Sequence, residues 1–336
     1  MRGRAGASGG QRVDRSGIAV WNVAWELALD SALAEVAGEL ERRGVQSLLL
    51  KGPALARWLY DEVAARSYSD VDLLIAPDQF GTARACVREL GFNRYGIGLH
   101  PHENAEYHES WLRTGPYPAV LELHRTLHLL SAPPELVWQR LSADSETIEV
   151  AGTPIRVPRT AGRALIVGLH AAQHGHKHEQ PMQDLQRAIE RADTATWQEA
   201  AGIARELGSL PALSAGLRLV PEGWQLTRTL GISSEQAARS VRLLAATAPD
   251  TAYGIEQLVS TPGVRGRLTL LARELVPSAT FMRTSSALAR RGTFGLIAAY
   301  ALRPVRLGLK LPGGIAAWLR AAIPAASERP GTRRWR

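Results

Sequence analysis

Asp70 and Asp72 stand two positions apart in the segment Ser69-Asp70-Val71-Asp72-Leu73-Leu74-Ile75. In an extended chain the side-chain period is two, so both carboxylates project to one face while Val71 and Leu73 enter a core. Two carboxylates held side by side repel unless a cation lies between them, and hard oxygen ligands of this kind suit Mg²⁺. Lys51-Gly52 closes the apolar run Leu48-Leu49-Leu50, and Arg66 follows fifteen positions later. Lys51, Lys177 and Lys310 are the only lysines among forty basic residues, so a lysine at the end of that run points to a need for a compact ammonium. A strand ending in Lys-Gly and leading into a helix can aim backbone N–H groups and one charge at a phosphate. Taken alone, Lys51 also reads as the plain surface end of a buried strand. Arg66, Asp70 and Asp72 shift the balance towards chemistry.

These groups need a scaffold. From Ile18 to Arg43 the residues Trp21, Trp25, Leu27, Leu33, Val36 and Leu40 recur at helical spacing, which predicts a helix packed on a sheet. Gly44 breaks it, and Val45 to Leu50 reads as a buried strand. Pro53 suits the first turn of a helix running towards Tyr60. Val71 to Ile75 is the second strand; Asp78 is placed to cap a helix carrying Thr82 to Leu90, which Gly91 ends. Tyr95 to Leu99, Glu106 to Leu112 and Ala119 to Leu123 complete a small mixed sheet. In the last of these, Glu122 and His124 share the face opposite Leu121 and Leu123, which makes Glu122 a natural third carboxylate. A short helix around Glu135 to Leu141 and a hairpin over Thr147 to Val157 follow. From Thr160 onward the pattern is helical, with breaks at Leu210-Pro211, Val220-Pro221, Thr261-Pro262-Gly263 and Arg303-Pro304. The expected fold is α+β: a flexible leader at 1–16, an α/β domain with a small mixed sheet at 17–158, a mostly helical C-terminal domain at 159–322, and a basic flexible tail at 323–336.

His170, His174 and His178 recur every four residues, with His176 and Lys177 among them and Asp184 beyond. Two histidines four apart on a helix can hold a transition metal, so a zinc hydrolase competes here. Ala171 stands where a zinc protease signature carries glutamate. The same imidazoles can instead touch a phosphate, serve as a base, or pack between domains. Cys86, the single cysteine, excludes an internal disulfide or a cysteine-rich zinc site, reads as a small buried hydrophobe, and fits a reducing cytoplasm.

The net charge of +8 is uneven. Residues 260–336 hold fourteen Arg and Lys against two Glu, while the remainder carries 26 basic and 30 acidic residues. No run of eighteen apolar residues exists, the longest candidate being Gly292 to Leu302, so a soluble protein is expected.

The strings Leu49-Leu50-Lys51-Gly52-Pro53-Ala54-Leu55, Arg66-Ser67-Tyr68-Ser69-Asp70-Val71-Asp72-Leu73-Leu74-Ile75 and Leu121-Glu122-Leu123-His124 resemble the bacterial family of uncharacterised nucleotidyltransferases, placed in the DNA polymerase beta-like superfamily. The resemblance is strongest from Val45 to His124 and weaker from His170 to Asp184. It departs from the wider superfamily where Lys51-Gly52 replaces a usual Gly-Ser pair. The resemblance implies a nucleotidyltransferase domain in which Asp70, Asp72 and Glu122 hold two Mg²⁺ ions and carry catalysis. It also implies that Lys51, Gly52, Arg66 and Ser69 bind the NTP, with ATP favoured, and that His170 and Asp184 lie near the active cleft without assigning their roles; His124, His170, His174 and Asp184 are the candidates for substrate or base groups. The acceptor is then a small molecule or peptide, in natural-product or glycan biosynthesis. Nucleic acid is not expected, because the positive surplus is confined to the C-terminal region. Two other classes stay open: a nucleotide-binding regulatory protein without turnover, and a peripheral membrane adaptor using Phe294 to Arg320, where apolar residues alternate with Arg303, Arg306, Lys310 and Arg320.

Overall fold

The structure, a computed structural model, describes residues 15–62, 66–95, 107–234 and 236–322, with side chains from residue 23 onward. Helix α1 (Arg15–Arg42) leads to strand β1 (Ser47–Leu49), then α2 (Pro53–Leu59), β2 (Val71–Ile75), α3 (Phe80–Glu89), β3 (Asn93–Arg94), β4 (His108–Arg113) and β5 (Ala119–His124). The five strands form one mixed sheet in the order β1-β2-β5-β4-β3, with β2 and β5 parallel and every other pair antiparallel.

Alternation in the strands decides what each face meets. Leu49, Val71, Leu73, Ile75, Leu121 and Leu123 share a core with Leu29, Leu33, Val36 and Leu40 of α1 and with Phe80 and Val87 of α3. Leu48, Leu50 and Leu74 point the other way and join a second core. That core is built mainly by the helices that follow α4 (Pro134–Ala143) and the hairpin of β6 (Ser145–Val150) and β7 (Thr153–Pro158). Its central member is α5 (Thr160–His174), buried almost throughout, surrounded by α6 (Glu179–Arg191), α7 (Thr194–Glu206), α8 (Leu210–Leu217) and α10 (Arg239–Ala245). Close approach requires glycine here: a Cβ on Gly216 of α8 would stand 2.0 Å from the Gly168 carbonyl oxygen of α5. Helices α9 (Pro221–Thr229), α11 (Asp250–Ser260), α12 (Val264–Leu275), α13 (Ala279–Ser285) and α14 (Gly292–Arg320) complete the described residues.

The sheet face that carries Asp72 and Glu122 is therefore the face that meets the helical half. The α+β fold with a small mixed sheet and a helical C-terminal half is as expected, but the two halves are joined by a shared core in which Leu48, Leu55 and Leu74 pack with Leu165, Leu185 and Trp197. Cys86 is fully buried.

Four local expectations are corrected. Helix α1 begins at Arg15, inside the expected leader. Leu27, assigned to its buried face, is exposed. Asp78 caps nothing: it lies within a 3₁₀ turn, Pro77–Gln79, and α3 starts behind Gln79 without a side-chain cap. The break at Arg303-Pro304 does not occur, because α14 runs through both Pro304 and Pro312. Both prolines lie on its exposed side, where water can meet the carbonyls they leave unpaired. Residues 1–14 of the expected leader, the tail at 323–336, and residues 96–99 of the expected third strand lie outside the described residues.

Candidate functional site

The parallel register of β2 and β5 sets Asp72 beside Glu122 and Leu74 beside His124. The antiparallel register of β5 and β4 continues both rows, to Ser110 and to His108. One row, Asp72-Glu122-Ser110, is polar throughout, and the other turns polar beyond Leu74 with His124 and His108. Glu122 Oε1 lies 3.4 Å from the donating Ser110 Oγ and 3.6 Å from His108 Nε2. His124 Nε2 sits between the two carboxylates, 3.0 Å from Asp72 Oδ1 and 3.3 Å from Glu122 Oε2, and its ring stacks on His108 with centroids 5.1 Å apart.

Lys51 reaches the same place from the neighbouring strand. The Leu50 amide donates to the Asp72 carbonyl at 3.0 Å, which holds the end of β1 against β2. The Lys51 Nζ then lies 2.8 Å from Asp72 Oδ1, with the side chain still 22% exposed. Gly52 follows with φ at 58° and ψ at −120°, a backbone state that side-chain-bearing residues rarely adopt. The turn behind it offers fewer amides to a phosphate than the sequence predicts. Pro53 has no N–H, and the Ala54 and Leu55 amides donate to the Lys51 and Gly52 carbonyls.

The charges here are strongly interdependent. Burial works against ionisation of Asp72, but Lys51 and His124 outweigh it and hold its carboxyl well below the ordinary range. Burial likewise opposes the imidazolium of His124, yet its hydrogen bonds to Asp72 and Glu122 push it up to about 9. Asp70 lacks such partners: burial first, then the charge on Asp72, raise it to about 6. This is the pattern expected of carboxylates forced together without a full complement of positive charge.

These groups form one wall of a cleft of about 740 Å³. The opposite wall is the end of α5, where His170, His174 and Gln173 face inward together with His178, Leu169 and Ile166. His170 and His174 meet edge to face at 4.6 Å, and His174 meets His178 at 5.4 Å. Burial first, then the charge of Lys51, keeps both neutral, His174 at about 4 and His170 well below its ordinary value. Six of the seven histidines among the described residues line this cleft. His108 and His128 were not singled out from the sequence. The expected strand over Glu106 to Leu112 contained a signal for His108, whereas nothing marked His128.

Arg66 and Asp184 meet across 118 positions of sequence. The Arg66 Nε lies 3.0 and 3.1 Å from the two Asp184 carboxylate oxygens, Nη2 donates to Oδ2 at 2.8 Å, and Nη1 donates to the Gly52 carbonyl at 3.4 Å. Tyr60 donates to Asp184 Oδ1 at 2.9 Å, and Gln180 Nε2 donates to both that oxygen and the Tyr60 hydroxyl. Asp184 is 1% exposed and fully engaged, so the structure places it behind the cleft wall. Arg66 lines the cleft but directs three of its nitrogens into this clamp. Ser69, like Asp70, lines the cleft on the segment before β2.

Among the described residues, the group of potential ligands whose donor atoms converge, all within 4.8 Å, is Asp72, Glu122 and His124. The two carboxylates are hard oxygen donors, Asp70 opens into the same cleft, and the buried His124 Nδ1 has no hydrogen-bond partner among the described residues. This chemistry fits a divalent cation, which would take over the role that the Lys51 ammonium and the His124 imidazolium now play towards Asp72. The helical histidines do not form such a group among the described residues.

No curated protein matches the chain in sequence. Among solved structures, an antigenic nucleotidyltransferase-like protein from Paracoccidioides brasiliensis is similar at 15% identity and a TM-score of 0.36, covering 55% of this chain and 91% of that one. The antibiotic-resistance factor ANT(2'')-Ia is similar at 13% identity and a TM-score of 0.41, covering 55% and 96%. Both likenesses are distant, and the assignment rests on the sequence family. Residues 17–224 match the family described as uncharacterised nucleotidyltransferase, a span that contains every group in the cleft, and the chain belongs to that family.

Proposed function

We propose that the cleft transfers an NMP group from an NTP, with ATP the favoured donor, to a hydroxyl or similar acceptor on a small molecule or peptide. The setting proposed is natural-product or glycan biosynthesis in the cytoplasm. The observation that carries this reading is the strand register that seats Asp72 beside Glu122, with Asp70 and Lys51 opening into the same cleft. Asp70, Asp72 and Glu122 would hold a pair of Mg²⁺ ions, and the bound ions would supply neutralisation of the phosphates and a more acidic acceptor hydroxyl.

The chain's own groups do the rest. The Lys51 ammonium, anchored on Asp72 yet open to the cleft, neutralises a phosphate oxygen as charge builds there. Ser69 and the Gly52 turn border the phosphates, and Arg66 positions that turn through its bond to the Gly52 carbonyl. His170 and His174, held neutral, are suited to accept a proton or orient the acceptor hydroxyl. The acceptor oxygen attacks the α-phosphorus, its proton passes to a base, and pyrophosphate leaves along the line of attack.

Calorimetry of ATP, GTP, CTP and UTP with Mg²⁺ tests this on the wild type and on an Asp70→Asn, Asp72→Asn double variant. Selective binding that the variant loses is the expected result. Binding to none of the four sinks the reading. A second reading, nucleotide binding without turnover, is favoured by one observation: Lys51 and His124 already neutralise Asp72. It predicts binding without pyrophosphate release.

A further inference from the structure

Among the described residues, the solvent face of α14 presents a long apolar surface away from the cleft. At the helical period, Phe294, Ile297, Val305, Leu309, Ile315 and Leu319 fall within a sector of about 120°. Each is exposed, Phe294 by 89% and Leu309 by 79%. The remaining positions of the sector are alanine, glycine and proline. The strip is roughly 40 Å long at 1.5 Å per residue, and exposed Val264 and Leu268 of the neighbouring α12 add to the apolar surface.

The opposite side of α14 is firmly seated, so this face is turned outward by the fold. Trp318 Nε1 donates to Glu256 Oε2 at 2.8 Å, and the Tyr300 hydroxyl donates to the Pro277 carbonyl at 2.7 Å. A Cβ on Gly314 would stand 2.4 Å from Thr251 Oγ1 of α11.

Charge identifies what covers the strip. Residues 260–322 hold ten Arg and Lys and a single acid, Glu274, which Arg303 already engages. Arg306 and Lys310 are exposed, about 60° and 100° round the helix from the edge of the apolar sector, and Arg320 stands close to that edge. A second copy of the same surface would bring two strongly positive faces together. A nucleic acid would satisfy the arginines and leave Phe294 and Leu309 in water. An anionic lipid surface satisfies both, with apolar side chains entering the acyl boundary and long basic side chains reaching back to the headgroups. The charges along α14 also keep it from crossing a bilayer, and no helix among the described residues is long and apolar enough to do so.

We infer that α12 and α14 form an interfacial anchor that lays this protein on an anionic membrane surface. The anchor is independent of the nucleotidyl-transfer reading. The test is co-sedimentation of the full chain with phosphatidylcholine vesicles and with vesicles that also contain phosphatidylglycerol. The wild type should partition at least about tenfold more strongly onto the anionic vesicles, and high salt should weaken this. A Phe294→Asp, Val305→Asp, Leu309→Asp variant should lose at least about tenfold, and Arg306→Glu with Lys310→Glu roughly tenfold. All these side chains are exposed, so thermal melts should match the wild type. Wild-type protein left in the supernatant with both vesicle types overturns the anchor. Sedimentation untouched by the triple variant does the same. A dimer in light scattering that the triple variant dissolves would assign the strip to a second copy instead. An oligonucleotide complex lost only on charge reversal would assign the charges to nucleic acid.

Discussion

Two buried ionic networks border the cleft, and they differ in how completely they are satisfied. Around Asp184, the Arg66 guanidinium, the Tyr60 hydroxyl and the Gln180 amide fill the carboxylate from three directions. Around Asp72, two cations crowd one oxygen, while Asp70 carries a raised pKa nearby and the His124 Nδ1 has no partner among the described residues. A saturated network holds a fold together because each member would be costly to leave unpaired. An unsaturated one has capacity left for a ligand. The two carboxylates have similar burial, so burial alone does not separate site from strut.

The sharpest way to break this contrast is to neutralise each centre in turn. Asp72→Asn should lower turnover by roughly a thousandfold or more, about 4 kcal/mol of transition-state stabilisation, while the denaturation midpoint falls by less than in Asp184→Ala, because Lys51 can turn into the cleft and His124 can shed its proton; steady-state pyrophosphate release and a urea titration read the two effects. Asp184→Ala should do the reverse in kind. Removing one partner of a buried pair strands the Arg66 charge, a loss of about 3 kcal/mol of stability, seen as a lower urea midpoint. If Asp184→Ala left stability intact, the clamp would not be structural.

A pH series sharpens the comparison further. Burial first, then the neighbouring His108, holds His128 at about 4, and His174 is held there by burial and Lys51, both below their ordinary 6.5. The unfolded chain therefore takes up protons before the folded one as pH falls. Stability is full above about 6.5 and is lost as pH falls towards 4. Allowing for partial exposure, each histidine contributes on the order of 2 kcal/mol to that loss. Melting temperatures of His128→Gln and His174→Gln should show a flatter acid limb than the wild type, and an unchanged slope would mean the two are not held neutral. The smallest effect is at Tyr60→Phe, which deletes one hydroxyl from the clamp and should cost about 1 kcal/mol in the same urea assay.

The readable parts of this site were the local ones. Period-two alternation placed Asp72 on the polar face of β2 and paired Glu122 with His124 on β5, because register within a strand is written in consecutive residues. The identity of Lys51 stood out against an arginine-rich background. What could not be read were meetings across long separations. Nothing in the spacing of Arg66 and Asp184 announces that they share two oxygens, and the sequence reading sent Arg66 to the phosphates. His128 joined the cleft only because the turn after β5 folds back beside His108. The stretch around Pro304 misled for a different reason: proline disfavours a helix interior, but exposure on the solvent side lets packing against α11 and α13 override that preference.

The shared core has a practical meaning for ligand recognition. Leu48, Leu50 and Leu74 beneath the carboxylates and Leu165 and Leu169 beneath the histidines belong to one packed body, and the Arg66 clamp ties α6 to the turn at Gly52. Changing the gap between the two walls would mean disrupting this packing. On the proposed reading, differences in affinity among nucleotides would then report the fit of base and phosphate to this gap, with little work spent on bringing the walls together.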